Sequence, residues 1–244
     1  MDDNIIVYVS AGALGDLIHS LSIINEKFLT THKKGILYLK PAYFNLNYNK
    51  TYKDTYTLVS SQPYIEKYLI WNGENYEIDL SSWRKSRLLY NASWEKLFNT
   101  VYNITWARTP WLTCETKNPL LESKILVCCS RDKNRFPNRI NFKKLFTNLG
   151  IENIIFITET IDEYTEFCSK SGLSMPLYTP SSIEDFVISI NSCSLFIGNL
   201  SSPLTYAYAL HKKNITLLNS NCVDNPHIVG LNFMDNIEIL TEYS

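Results

Sequence analysis

Residues 194–213, SLFIGNLSSPLTYAYALHKK, decide how the rest of the chain is read. A short apolar run at 195–197 meets a tight turn at Gly198-Asn199, and Ser202-Pro203 then opens a helix. Serine caps a helix N-terminus well, and proline suits the first helical position because its missing N–H would have had no partner there. The unsatisfied backbone N–H groups and positive dipole end, beside the hydroxyls of Ser201 and Ser202, make an anion site at the carboxyl end of a strand. A diphosphate is the expected occupant. Capping alone explains the same Ser-Ser-Pro, so the neighbourhood must decide.

Upstream of that stretch the chain alternates between apolar runs and helical patterns. Runs at 124–129 and 153–158 read as strands, and 214–219 reads as the last of the series. Phe142, Leu145, Phe146 and Leu149 mark one helix face, and Ile183, Phe186, Val187 and Ile190 mark another at i, i+3, i+4, i+7. Thr160 with Glu163, and Ser181 with Glu184, have capping-box spacing. Such alternation implies a parallel sheet covered by helices, with ligands at the carboxyl ends of the strands. The basic loop SRDKNRFP at 130–137 falls at one such end; it reads either as a phosphate-binding element or as a solvated charged loop.

The first half opens on a βαβ unit. Residues 4–10, NIIVYVS, form a buried strand, followed by a glycine-bearing turn at 11–16. Leu14, Leu17, Ile18, Leu21, Ile24 and Phe28 then recur at helical spacing over about four turns. A second strand occupies 34–40. A dinucleotide fingerprint would require G-x-G-x-x-G and an acid near the end of that strand, but only Gly12 and Gly15 are present and the strand ends in Lys40. Beyond it, 56–60 and 67–71 read as strands, and 76–80 leads into an aromatic stretch. Trp83, Arg84, Lys85, Arg87, Tyr90, Trp94, Trp106, Arg108 and Trp111 then interleave aromatic with basic character. Such a run can stack sugars and hold anions, or it can be the core and rim of a helical layer. The aperiodic stretch 111–123, with Asn118-Pro119, contains the linker.

Two short motifs carry a resemblance. GALGDLIHSL at 12–21 and GNLSSPLTYAYAL at 198–210 resemble the signatures of the heptosyltransferase-like glycosyltransferases, which have the two-domain GT-B fold. Gly12, Leu14, Gly15, Asp16, His19, Ser20 and Leu21 match the first; Gly198, Asn199, Ser201, Pro203, Ala207, Ala209 and Leu210 match the second. Leu200 stands where the family usually has Asp, Ser202 where it has Gly, and Thr205 where it has His. In the basic loop Arg135, Phe136 and Pro137 match, while Asn134 takes the usual lysine place with Lys133 beside it. The resemblance is thin from 41 to 113, where the N-terminal half is shorter than usual for the family.

The resemblance implies an α/β fold of two Rossmann-like βαβ domains facing across a cleft: an acceptor-side domain at 1–113, a linker at 114–123 and a nucleotide-sugar-binding domain at 124–244. Asp16 matches the proposed catalytic base, and a carboxylate there can take the proton of an attacking hydroxyl; a bare dipole role at the helix N-terminus is the competing account. Gly12, Gly15 and His19 fall on the acceptor side, His19 with a structural role equally open. Ser201, Ser202, Pro203, Thr205, Lys133 and Arg135 fall on the donor and phosphate side. Glu163 is placed either to hold ribose hydroxyls or to cap its helix, and Ser220 and Asn221 sit where they can edge the pocket.

Bulk properties narrow the partners. A chain of 244 residues with net charge −1 and 19% charged residues has no bias toward polyanions, which argues against nucleic acid. Six cysteines lack metal-ligand spacing and read as reduced and buried. The sequence shows neither a basic-then-apolar leader nor a bilayer-length apolar segment, so the expectation is a soluble cytoplasmic protein, with room for peripheral contact with a membrane. No DxD-like acidic pair calls for a metal. The resulting expectation is an inverting, metal-independent glycosyltransferase that uses a nucleotide-diphosphate sugar as co-substrate, without a resident cofactor, and a glycan or glycolipid-like acceptor. The alternative is a non-catalytic nucleotide or nucleotide-sugar binder on a degenerate GT-B scaffold, which the donor-side substitutions also fit. Retention of Asp16 speaks for the enzyme, since a binder has little need of that carboxylate.

Overall fold

The structure, a computed structural model, describes residues 4–42, 47–89, 91–132, 134–222 and 236–244. The chain divides into two compact units, the first ending at Thr113 and the second beginning at Cys114. Each is built on a parallel sheet. Among the described residues no helix is long and apolar enough to cross a membrane.

In the first unit β1 (Ile5–Ser10) is central, flanked by β2 (Lys34–Leu39), with β3 (Ile65–Ile70) outside β2 and the short β4 (Ile78–Asp79) on the other side, giving the order β3-β2-β1-β4. Helix α1 (Leu14–Thr31) packs Leu17, Ile18, Leu21 and Ile24 against the sheet and stops at His32, whose left-handed backbone lets its N–H bond Phe28 O at 2.8 Å. The second helix, α2 (Tyr48–Ser60), corrects the strand expected at 56–60. Its buried residues Thr55, Leu58 and Val59 lie at i, i+3, i+4, a helical face that a five-residue window cannot separate from a short strand.

The aromatic run resolves chiefly into core. Trp83, Trp106 and Trp111 are buried, as is Phe98 of α3 (Trp94–Tyr102). Two of the tryptophans staple α1: Trp111 Nε1 donates to Ile18 O at 2.9 Å and Trp106 Nε1 to Ser22 Oγ at 2.6 Å. Tyr90 lies outside the described residues.

The second unit carries β5 (Ile125–Cys128), β6 (Ile154–Ile157), β7 (Leu177–Tyr178), β8 (Leu195–Asn199), β9 (Asn214–Leu217) and β10 (Ile237–Leu240) in the order β10-β9-β8-β5-β6-β7, all parallel. The short strands β7 and β10 extend the sheet beyond the series read from sequence. Helices α4 (Phe142–Leu149), α5 (Ile161–Ser171), α6 (Ile183–Ser192) and α7 (Ser202–Ala209) connect the strands. Phe142, Phe146, Phe156 and Phe167 form the centre of its core, with Phe156 and Phe167 ring centroids 4.8 Å apart.

Both expected capping boxes are corrected. Ser182, not Ser181, caps α6: its Oγ accepts from Asp185 N at 3.1 Å, and Asp185 Oδ2 accepts from Ser181 N at 2.9 Å. Thr160 caps α5 without a side-chain bond, and the Glu163 half of the box is lost because Thr160 N donates to Thr158 Oγ1 at 3.2 Å while Glu163 accepts from Thr158 Oγ1 at 2.6 Å. Residues 114–123 are stitched to α6, with Asn191 Nδ2 donating to Cys114 O at 2.6 Å and Asn118 N to Ser192 Oγ at 2.7 Å. Cys128, Cys129 and Cys193 are buried, whereas Cys114 and Cys168 are half-exposed, against the expectation that all would be enclosed; the Cys222 side chain lies outside those described. Burial pushes the Cys193 thiol up to about 11, and Cys128 and Cys129 up as well, so all three stay protonated.

Glu26 of α1 is 8% exposed, and burial raises its carboxyl above the usual range. A carboxyl raised in the folded state loses stability as pH rises from the unfolded pKa through the folded one. Glu26→Gln should therefore raise Tm at pH 7.5, and the gain should shrink to nothing toward pH 4; calorimetry across that range measures it, and a constant gain would exclude the titration of Glu26 as its source.

Candidate functional site

At the carboxyl end of the second sheet, one buried side chain ties the loops there together. Asn199 ends β8 with no exposed surface, and its amide makes three bonds to the basic loop: Oδ1 accepts from Ser130 N at 2.9 Å, and Nδ2 donates to Ser130 O and Arg135 O, each at 3.2 Å. A second asparagine does the same one strand over, Asn219 Nδ2 donating to Phe136 O at 2.6 Å. Ser220 N donates to Asn138 Oδ1 at 3.2 Å, so the loop after β9 is bonded to the same segment, while Asn221 is exposed. Phe136 packs on the core rings of Phe142 and Phe167, with Lys170 Nζ 4.4 Å from its ring centroid. Neither asparagine's clamping role was read from the sequence; a buried polar residue at or just past a strand end is the signal that only burial supplies.

This anchoring brings Arg135 to the start of α7. Its Nη1 donates to Leu200 O at 3.2 Å while Nε pairs with Asp132 Oδ2 at 3.3 Å. The cap is Ser201, one residue earlier than expected, with Ser202 and Pro203 as the first helical residues. Ser201 Oγ donates to Asn199 O at 3.1 Å rather than accepting from the helix, which leaves the first-turn N–H groups without a side-chain cap. Thr205 is buried within α7 at 6% exposure. Gly198 is dictated by close approach: a Cβ there would stand 2.7 Å from Phe196 Cε1. Arg131 pairs with Asp162 at 3.3 Å, which links the basic loop to the first turn of α5 near Glu163. Lys133 lies outside the described residues.

In the first unit the turn after β1 is equally constrained. Ala11 N donates to Ser81 Oγ at 2.8 Å and Gly12 N to Ser10 Oγ at 3.3 Å; a Cβ on Gly12 would come within 2.9 Å of Leu17 N, so only glycine lets α1 start this close to the strand. Gly15 and Asp16 lie in the first turn of α1. Asp16 Oδ2 pairs with Arg84 Nη2, and the Arg84 guanidinium lies 4.2 Å from the Trp83 ring centroid. Asp79, the last residue of β4, accepts from Lys40 Nζ at 3.0 Å and from Ser81 N at 2.8 Å. His19, read either as acceptor-side or as structural, is buried and packed among tryptophans, its ring 5.1 Å from Trp94 and 6.3 Å from Trp111.

No protein-family model matches the chain, and no curated protein does. Solved structures do. E. coli heptosyltransferase WaaC with ADP-2-deoxy-2-fluoro heptose is similar at TM-score 0.64 and 11% identity, over 97% of this chain and 92% of that one. A glycosyl transferase family 9 structure from Veillonella parvula gives TM-score 0.64 and 11% identity, over 98% and 86%. The chain has a heptosyltransferase-like fold. The dodecameric iron-containing heptosyltransferase TibC in complex with ADP-D-beta-D-heptose gives TM-score 0.66 and 10% identity, over 93% of this chain and 61% of that one. Within the heptosyltransferase-like fold, of GT-B type, the N-terminal signature sits at the carboxyl end of the first sheet and the C-terminal one at the carboxyl end of the second.

Replacing Asn199 by alanine leaves buried loop backbone without its partner, a loss of about 1–3 kcal/mol. Urea denaturation of Asn199→Ala measures that loss, and limited proteolysis should cut the variant first within 130–137; an unchanged midpoint would mean the clamp is dispensable.

Proposed function

We propose that the chain is an inverting, metal-independent glycosyltransferase that moves a sugar from a nucleotide-diphosphate sugar to a hydroxyl of a glycan or glycolipid-like acceptor. The observation that carries this reading is the convergence of Arg135 and the uncapped first turn of α7 at the end of β8, in a heptosyltransferase-like fold whose other unit presents Asp16 at the start of α1. In a single displacement the acceptor oxygen forms a bond to the anomeric carbon as the bond from that carbon to the diphosphate oxygen breaks. Asp16 takes the hydroxyl proton. The N–H groups of α7 and Arg135 receive the negative charge that develops on the departing diphosphate, and preorganised donors of this kind commonly supply most of the rate enhancement in such reactions.

Charge neutralisation by protein groups supports a reaction without metal: the acids beside the basic loop, Asp132 and Asp162, pair with Arg135 and Arg131. The WaaC and TibC structures named above hold ADP-linked heptose, which makes an adenine nucleotide sugar the first donor to try. The reading puts the reaction in the cytoplasm, where nucleotide sugars are made. One observation favours the second reading, a non-catalytic nucleotide-sugar binder: Thr205, where the family usually carries His, is buried in its helix.

The two readings part on turnover. A matching donor, screened among ADP-, GDP-, UDP- and dTDP-sugars, should stabilise the protein by about 2–3 kcal/mol at a hundredfold excess over Kd. Asp16→Asn should keep that stabilisation while lowering nucleotide release by about 10²–10⁴. EDTA should leave the rate unchanged; inhibition by EDTA would end the metal-free mechanism. Stabilisation without turnover in the wild-type protein would favour the binder.

A further inference from the structure

Resting on the transferase reading, we infer that Arg84 is the positioning residue of the reaction, fixing the carboxylate of Asp16 for proton transfer. Arg84 is held on two sides. Its guanidinium face lies against Trp83, 4.2 Å from the ring centroid, and its Nη2 edge meets Asp16 Oδ2. Trp83 is itself 6% exposed and set edge-on against Trp94 at 4.9 Å, so the platform cannot turn away.

The turn that carries both residues, Ser82–Lys85, is pinned to the strands beside it. Ser81 N donates to Asp79 Oδ1 at 2.8 Å, Arg84 N to Ser81 O at 3.2 Å, and Ala11 N to Ser81 Oγ at 2.8 Å, which locks the turn to the loop that ends in Asp16. From the far side Trp83 N donates to Tyr102 Oη at 3.3 Å, and Tyr102 Oη donates to Asp79 O at 3.3 Å. Burial pushes the Tyr102 hydroxyl up to about 12, so it keeps its proton and this bond across the working pH range.

An ion pair with 22% and 30% of its side chains exposed contributes little to stability, and so much bonding around one arginine is more than a surface pair needs. Its consequence is geometric. A planar guanidinium seated over an indole and bonded to one carboxylate oxygen sets the rotation of that carboxylate, which a lysine ammonium on a flexible stem does not. The sequence separates the two partners by 68 positions, and only the fold joins them.

The test uses the full chain, with the nucleotide sugar that stabilises it most and water as acceptor, following release of nucleoside diphosphate. Arg84→Ala should lower kcat by about 100-fold, the scale of a misplaced reacting group, with donor KM and donor-induced Tm shift unchanged. Arg84→Lys should recover only part of the loss, and added guanidinium should rescue Arg84→Ala but not Asp16→Asn. The double variant should be no slower than Asp16→Asn alone, because a residue acting through Asp16 has nothing left to act on. Wild-type turnover in Arg84→Ala, a change in KM alone, or multiplied losses in the double variant would overturn the assignment while leaving the transferase reading intact. Absence of turnover from any donor by the wild-type protein would overturn both, and should Arg84→Ala fail to fold, the Arg84→Lys kcat and its double with Asp16→Asn decide the question.

Discussion

The second unit depends on how the backbone just beyond its parallel strands is satisfied. A loop leaving the carboxyl end of a central strand carries N–H and C=O groups that the sheet no longer pairs, and buried polar groups without partners are costly. Asn199 answers this with one side chain: its amide reproduces both halves of a backbone pairing with Ser130 and adds a bond to Arg135 O. Much of this sheet end follows from that clamp. It fixes the path of the basic loop, brings Arg135 to Leu200 O, and takes the Ser201 hydroxyl onto its own carbonyl, which leaves the first turn of α7 without a side-chain cap.

The first unit solves the same problem with different residues. Ser81 plays the part of Asn199, accepting from Ala11 N through its hydroxyl while its own N–H is held by Asp79. Tyr102 then closes the circuit from α3. The glycine at position 12 makes that compactness sterically allowed. In both units, therefore, side chains bonded to backbone make the rigid part: neutral ones in the second unit, and in the first Ser81 and Tyr102 together with the Asp79 carboxylate.

How much of this was legible depended on whether the signal was local. The βα alternation of 124–219 could be read because its apolar runs are long and set off by turn or cap residues. Helix α2 could not, since Tyr56, Thr57, Leu58 and Val59 favour a strand when read alone and a helix only with Thr55 and the turn before it. Both cap misplacements at serine fell on Ser-Ser pairs, where two hydroxyls compete for one position. At Ser181-Ser182 the choice was settled by Asp185, while at Ser201-Ser202 the helix begins at Ser202 and the preceding Ser201 hydroxyl turns back to Asn199 O. The tryptophans were ambiguous for a related reason: Trp106 and Trp111 serve the core, while Trp83 is at once core and the platform for Arg84. Burial sorts them, and composition does not.

The charges at the two sheet ends are arranged in opposite senses. In the first unit the acids Asp16 and Asp79 are each held by a cation, Arg84 and Lys40; in the second the cations Arg131 and Arg135 are each held by an acid, Asp162 and Asp132. The first pairs are largely shielded, with side chains 21–30% exposed, and the second are open, at 39–71%. Open pairs are screened and contribute little, so an anion would draw Arg135 from Asp132 at small cost, whereas a shielded pair holds its geometry more firmly. On the transferase proposal, a carboxylate that stays in place would serve proton removal at one end, and a guanidinium free to exchange its partner would serve charge capture at the other.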